Sequence, residues 1–292
     1  MFRASKLLRL SLVACFATVS AMQTASADPV YADKNRIVSL GGSITEIIYD
    51  LGQLDRLVAR DTTSNYPQAV LELPDVGYVR RLSPEGVLSV NPDLIIAIEG
   101  SGPKEAVDLL AEANIPFVTI PNEFTRQGVV AKIKAVADTL GVPEKGAKMA
   151  AELDVALKDA EETSNKVDNK KRVMFILTAR NDRFLISGTN TGADSIIRMA
   201  GGINAVTEFE GYKPMTDEAM SAAAPDVILL MRRTGPMQIS DEDLSNHPAI
   251  AITPAGQAQN FVRMDGMFLL GFGPRTAKAI VELHKQLYPG QG

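Results

Sequence analysis

Gly77-Tyr78-Val79-Arg80-Arg81 puts one phenol and two guanidinium groups side by side. The glycine before the tyrosine marks a turn or loop, so the phenol is expected outside any packed element. Ser83, Pro84 and Glu85 then read as a helix start: a capping hydroxyl, a proline at the first helical position and an acid in the first turn. A phenol beside fixed positive charge suits binding better than packing, because the arginines supply what an anionic ligand needs. A surface loop whose tyrosine bonds to a neighbour fits the same residues, and they leave both readings open.

The second half of the chain repeats the arrangement. Gly211-Tyr212 is followed by Thr216, Asp217 and Glu218, again a cap with acids in a first turn. Seven residues after Glu85 comes Pro92-Asp93 and the apolar run 94–98; seven after Glu218 comes Pro225-Asp226 and the run 227–231. Two units with one internal spacing argue for two similar lobes.

Catalytic chemistry finds little support. The two histidines, His247 and His284, lie far apart, and neither has a partner at a metal-ligand spacing. His247 precedes Pro248 in an expected loop, and His284 is expected on the exposed face of the last helix. No nucleophile elbow, P-loop or kinase signature appears, which weighs against a secreted α/β enzyme, the rival from another class together with a non-transport scaffold. The single cysteine, Cys15, falls in a segment that reads as an export signal. Arg3, Lys6 and Arg9 are basic, Leu7 to Val19 is mostly apolar, and Ala25-Ser26-Ala27 is a small-x-small cleavage site. The mature chain is expected to begin at Asp28; cleavage at Cys15 to a lipoprotein is the alternative. Without residues 1–27 the balance is 27 bases against 35 acids, a net −8. That excludes a general attraction for nucleic acid or anionic membrane and leaves anion binding to local arginines.

These groups must be held by alternating strands and helices. Arg36–Leu40 predicts a strand, Gly41-Gly42 a tight turn, and Ser43 with Glu46 a capping box on the next helix. Further strands are expected at 57–60, 94–98 and 115–120, with helices at 103–113 and 125–140, the pattern of a parallel α/β sheet. Residues 143–166 carry Ala150, Leu153, Leu157 and Ala160 among charges, which predicts one long amphipathic helix. About 30 Å of helix bridges two lobes stiffly. A second lobe follows, with strands at 172–177 and 227–231, the loop Arg232-Arg233-Thr234-Gly235 at a strand end, and a helix at 274–287. The organisation is therefore a leader at 1–27, a first lobe at 28–142, a connecting helix at 143–170 and a second lobe at 171–292.

Several stretches together resemble the periplasmic haem-binding proteins that feed bacterial ABC haem importers. They are Arg36–Leu51, Val76–Arg80, Leu82–Asp93, Thr191–Ala205, Gly211–Asp226, Met264–Gly266 and Leu269–Thr276, and the resemblance they carry extends over nearly all of the mature chain. The resemblance implies the class III periplasmic binding protein fold: two Rossmann-like lobes with central parallel sheets, joined by one long helix. It implies Tyr78 as the axial ligand of the iron of ferric haem b, carried as cargo, with Arg80 bonded to that tyrosine. A phenolate is a hard oxygen donor suited to Fe(III). A phenol's ordinary pKa is about 10, and the ferric ion with a nearby guanidinium favours its ionisation. Tyr212 is the symmetric candidate for the opposite wall, Arg232 and Arg233 are candidates for haem propionates, and Arg81 is expected to be solvated. Neither histidine matches the position at which some relatives add a ligand, which speaks against a two-haem form. Glu85 and Glu218 match the glutamates that dock such receptors on permease arginines. The implied partners are an ABC haem permease with its ATPase and an outer-membrane haem receptor upstream; the protein is expected to be a periplasmic monomer. The same fold binding cobalamin or a ferric siderophore is the nearest alternative, and the absence of tryptophan weighs against it.

Overall fold

The computed structural model describes residues 30–180, 183–233 and 238–290; the expected leader, with Cys15, lies outside them. The first sheet is built from β1 (Ile37–Leu40), β2 (Leu57–Arg60), β3 (Leu94–Ile98) and β4 (Phe117–Ile120), in the order β2-β1-β3-β4. All its pairings are parallel. Helices α1 (Gly42–Asp50), α2 (Pro84–Leu88), α3 (Lys104–Ala111) and α4 (Arg126–Thr139) connect or cover these strands. β1 and β3 are almost wholly buried, as their unbroken apolar runs require in a sheet covered on both faces.

The connector is α5 (Pro143–Ser164), 22 residues and about 33 Å long. Gly146, Ala150, Leu157 and Ala160 form its buried stripe, and Val155 on the other side is exposed. The second sheet holds β5 (Arg172–Arg180), β6 (Arg183–Ser187), β7 (Ile203–Asn204), β8 (Tyr212–Pro214), β9 (Val227–Met231) and β10 (Phe261–Met264). Its order is β10-β9-β5-β6-β8, with β7 also paired to β5. β9 and β5 are parallel, as expected, and β10, which the sequence reading did not foresee, adds a parallel strand at one edge. The other edge carries an unexpected antiparallel extension, β6 and then β8. Helices α6 (Gly192–Met199), α7 (Asp217–Ala223), α8 (Asp241–Asn246), α9 (Pro248–Ala251), α10 (Pro254–Gln257), α11 (Gly266–Leu270) and α12 (Thr276–Leu287) complete this lobe.

One hydrophobic core runs through both lobes. Ile44 and Ile133 of the first, Leu157 of α5, and Phe175, Ile196 and Ile280 of the second belong to a single buried cluster. A second cluster fills the other face of the second sheet, with Ile176, Ile228 and Leu230 against Met220 and Ile250.

Two local expectations give way. Ser43 is not a cap: Gly41 takes that position, and Ser43 Oγ is buried without a hydrogen bond among the described residues. Glu46 turns away from the backbone to Arg275, 229 residues along the chain. A charged partner in the interior offers a carboxylate more than a helix-end N–H does. His284 is buried and not exposed. Its Nδ1 lies 3.1 Å from the Ala200 carbonyl and its ring packs on Tyr288, because α12 is covered over a wide face.

Candidate functional site

Tyr78 projects from a loop whose backbone is fixed on both sides. Val76, Val79 and Leu82 are buried in the first lobe's core beside Val38 and Ile95, while Tyr78 between them is 46% exposed. The Thr62 N–H donates to the Gly77 carbonyl at 2.9 Å and the Gly102 N–H to the Val79 carbonyl at 2.9 Å. The Leu82 N–H returns to the Gly102 carbonyl at 2.8 Å. Gly77 sits at φ 101° with open space around it, so glycine is needed there for backbone conformation and not for room. The loop thus lies beside the C-terminal end of β3, where ligands of open α/β sheets gather.

A buried carboxylate that the sequence reading passed over organises the neighbouring loop. Asp61 accepts from the Gly41 N–H, the Thr63 N–H and the hydroxyls of Thr63 and Ser64, at 2.6–2.9 Å. The run Asp61-Thr62-Thr63-Ser64 was its only signal, a turn in which aspartate bonds its own following backbone. Through Thr62 this network reaches Gly77, and so the Tyr78 loop.

Arg80 is exposed, and its Nη1 lies over Gly100. The sequence reading bonded Arg80 to Tyr78, and among the described residues no hydrogen bond joins the two; Tyr212 of the other lobe feels the Arg80 charge across the cleft. Tyr212 is on β8, opposite Ser187 of β6, and half-buried. Its ring meets Phe175 edge-on at 6.4 Å. Burial pushes its phenol up, against hydrogen bonds from Thr191, the Ala193 backbone and Ser187 and against the Arg80 charge, which pull it down.

Arg232 follows the C-terminal end of β9. It is exposed, its N–H donates to the Met264 carbonyl at 2.6 Å, and its guanidinium lies 3.4 Å from the Arg263 carbonyl. Arg233 packs beside Ile176, Leu230 and Ile239, on the sheet face opposite the one Tyr212 packs against. Arg81 is exposed, as expected. His247 stacks on Phe184 at 4.9 Å with Nε2 3.9 Å from Asp217. Among the described residues no cluster of His, Cys, Asp and Glu could hold a bare metal ion.

Glu85 and Glu218 occupy equivalent places. Ser83 accepts from the Gly86 N–H and Thr216 from the Ala219 N–H, each at 3.3 Å, so both helices start as the sequence predicts. Both carboxylates are exposed in the first turn, and among the described residues no cation lies within ion-pairing distance of either. Each complements its helix dipole and stays available to a partner.

Comparison with known proteins places these features in a family. The profile of the periplasmic binding protein family matches residues 37–267. A solved structure of the periplasmic heme-binding protein BhuT in complex with two hemes superposes with a TM-score of 0.83 at 37% identity, over 88% of this chain and 99% of that one. The uncharacterized ABC transporter substrate-binding lipoprotein YvrC of Bacillus subtilis is 25% identical over 88% of this chain and 81% of its own length. The vitamin B12-binding protein of Vibrio campbellii is 27% identical over 68% of this chain and 70% of its own. Among the described residues no helix is long and apolar enough to cross a membrane.

Proposed function

This chain belongs to the periplasmic binding protein family, and from that membership we propose that it captures haem between its lobes and delivers it to an ABC importer. The observation that carries the reading is Tyr78: an exposed phenol on a backbone-pinned loop, in a chain 37% identical to a heme-binding protein over nearly its whole described length. Tyr78 would supply a hard anionic oxygen to the iron of ferric haem b, and Arg80 the positive charge that favours that anion. Arg232 is the nearer candidate for a propionate, since it is exposed at a strand's C-terminal end. Glu85 and Glu218 would present one carboxylate per lobe to the permease. The binding unit is the mature chain from Asp28, a periplasmic monomer with lobes at 28–142 and 171–292 and a connector at 143–170. An outer-membrane receptor would supply the cargo.

The test is an optical titration with hemin. Haem binding through Tyr78 predicts a sharp Soret band with a ferric–phenolate charge-transfer band; an unchanged hemin spectrum sinks the reading. The resemblance to vitamin B12-binding proteins supports cobalamin as the second reading, and a parallel titration with cyanocobalamin decides between the two. Intact mass of the exported protein separates a chain starting at Asp28 from an acylated one starting at Cys15.

A further inference from the structure

Two stretches to which the haem reading assigns no residue at the ligand, Ser43–Glu46 and Leu270–Thr276, meet in the structure. Arg275 reaches from the start of α12 to Glu46 on α1. Its Nε lies 2.9 Å from Oε2 and its Nη2 2.5 Å from Oε1, a two-point fork. The Tyr66 ring lies 3.8 Å from the guanidinium carbon and that of Phe268 5.4 Å. Further contacts flank the fork. The Met267 tip and the Thr63 carbonyl fill the space that a side chain on Gly42 would need, and the fixed carbonyl explains that glycine. Phe272 packs edge-on against Phe124 at 5.1 Å, and its carbonyl accepts from the buried Lys132 amine at 3.0 Å. The connection between β10 and α12 therefore grips the first lobe along its whole length, apart from the α5 connector.

The energetics say what the fork is for. A buried ion pair returns little net stability, because desolvation offsets the attraction. Burial raises the Glu46 carboxyl even against the hydrogen bonds and charge of Arg275. What a planar fork does provide is direction and distance. The grip also lies next to the ligand loop. Tyr66 is on the segment that Asp61 organises, and Thr62 of that segment holds the Gly77 carbonyl beside Tyr78.

We propose that the Arg275–Glu46 fork, clasped by Tyr66, is a strap that fixes the separation of the two cleft walls and so sets how fast a bound planar ligand leaves. Arg275 and Glu46 are positioning residues in this scheme, and the rate half of it rests on the haem reading. The test uses Glu46→Gln, Arg275→Lys and the volume-keeping pair Glu46→Leu/Arg275→Met. Nitroxides at Glu105→Cys and Glu242→Cys, one on each lobe, report the distance between lobes by pulsed electron resonance in a Cys15→Ser background. Haem departure is read by transfer to excess apomyoglobin, and folding by thermal melting. The paired variant should melt no lower than wild type, yet show a broadened distance distribution and haem loss faster by roughly tenfold, the scale of an outer-shell positioning contact. Glu46→Gln should broaden the distances as well, and Arg275→Lys, which keeps charge but loses the fork, should fall between. An unbroadened distribution in the paired variant, empty or loaded, overturns the strap. So does a broadened one with an unchanged rate of haem loss. A wild type that shows no hemin band overturns the haem reading instead, and leaves the strap to stand or fall on the distances.

Discussion

Tyr78 and Tyr212 begin from the same local sequence and end in opposite states. Each follows a glycine at positive φ, 101° at Gly77 and 77° at Gly211, and each leads to a capped helix with an exposed glutamate. Tyr78 stands 46% exposed, whereas Tyr212 has its ring on Phe175 and its oxygen among Ser187, Thr191 and Ala193. The cause is the neighbouring strand. β6 pairs Ser187 with Tyr212 and Ile186 with Lys213, which makes the second Gly-Tyr an edge strand and turns the ring inward. The first Gly-Tyr is held by single hydrogen bonds from Thr62 and Gly102, which fix the loop and leave the ring out. A repeated motif specifies its own turn and cap; whether its side chain reaches a ligand is decided by what lies next to it.

The sharpest way to break this contrast is Tyr78→Phe. It keeps the ring and removes the oxygen, so the charge-transfer band should vanish. Hemin affinity should fall by more than about 100-fold, beyond the loss typical of an outer-shell contact. The apolar porphyrin face should still bury itself, leaving weak residual binding. If the band survives there and disappears in Tyr212→Phe, the ligand belongs to the second lobe.

The glutamates test the part of the repeat that does not diverge. Glu85→Ala with Glu218→Ala should leave hemin titration unchanged and abolish haem uptake in cells. The helix-end loss of about 0.3–1 kcal/mol each is too small to unfold either lobe. Uptake at the wild-type rate would place docking elsewhere. Arg80→Ala should weaken hemin binding by roughly tenfold with the band retained, because the donor oxygen stays and only its charge partner goes.

The contrast also supposes that the two walls keep one relation to each other, and Lys132 beneath them offers a pH readout of the contact. Burial lowers its amine from 10.5 to about 7. Between those values the unfolded chain holds a proton that the folded chain lacks, so this group makes stability rise with pH across that window. Lys132→Met should remove its share of the slope, measured by urea unfolding at several pH values between the two. An identical slope in both proteins would mean that the amine is not held in the folded interior. The smallest effect belongs to Tyr212→Phe: less than the roughly 1 kcal/mol of one net hydrogen bond in stability, since the ring keeps its place on Phe175, and no change in the hemin spectrum.

What the sequence made legible was local. Ser83 and Thr216 cap the helices their positions foretold, and Thr125 opens the helix expected at 125–140 as its cap. The central strands could be read from apolar runs because both faces of their sheets are covered. β6 and β8 were missed for the converse reason: Arg183–Ser187 and Tyr212–Pro214 are short, edge-lying and mixed in polarity. Only two residues, Asn181 and Asp182, separate β5 from β6, a hairpin spacing that went unused. Glu46 was misread because its S-x-x-E pattern is a valid local signal, while its partner is 229 residues away and leaves no mark nearby. His284 was misread from its polar type: it lies four residues after Ile280 and three before Leu287, on the same buried stripe of α12.

The core that passes through α4, α5 and α12 also limits how such receptors can be recombined. Ile133, Leu157 and Ile280 share one interior, so neither lobe owns a complete hydrophobic inside. A chimera that swaps one lobe for a relative's would bring a mismatched half of that interior, with overpacking or voids costing 1–3 kcal/mol or more at each misfit. The outward face of the Tyr78 loop carries no such obligation, although Val76, Val79 and Leu82 beneath it do. New cargo is therefore easier to acquire by redrawing the cleft surface than by exchanging modules, although the chain has the outward form of two.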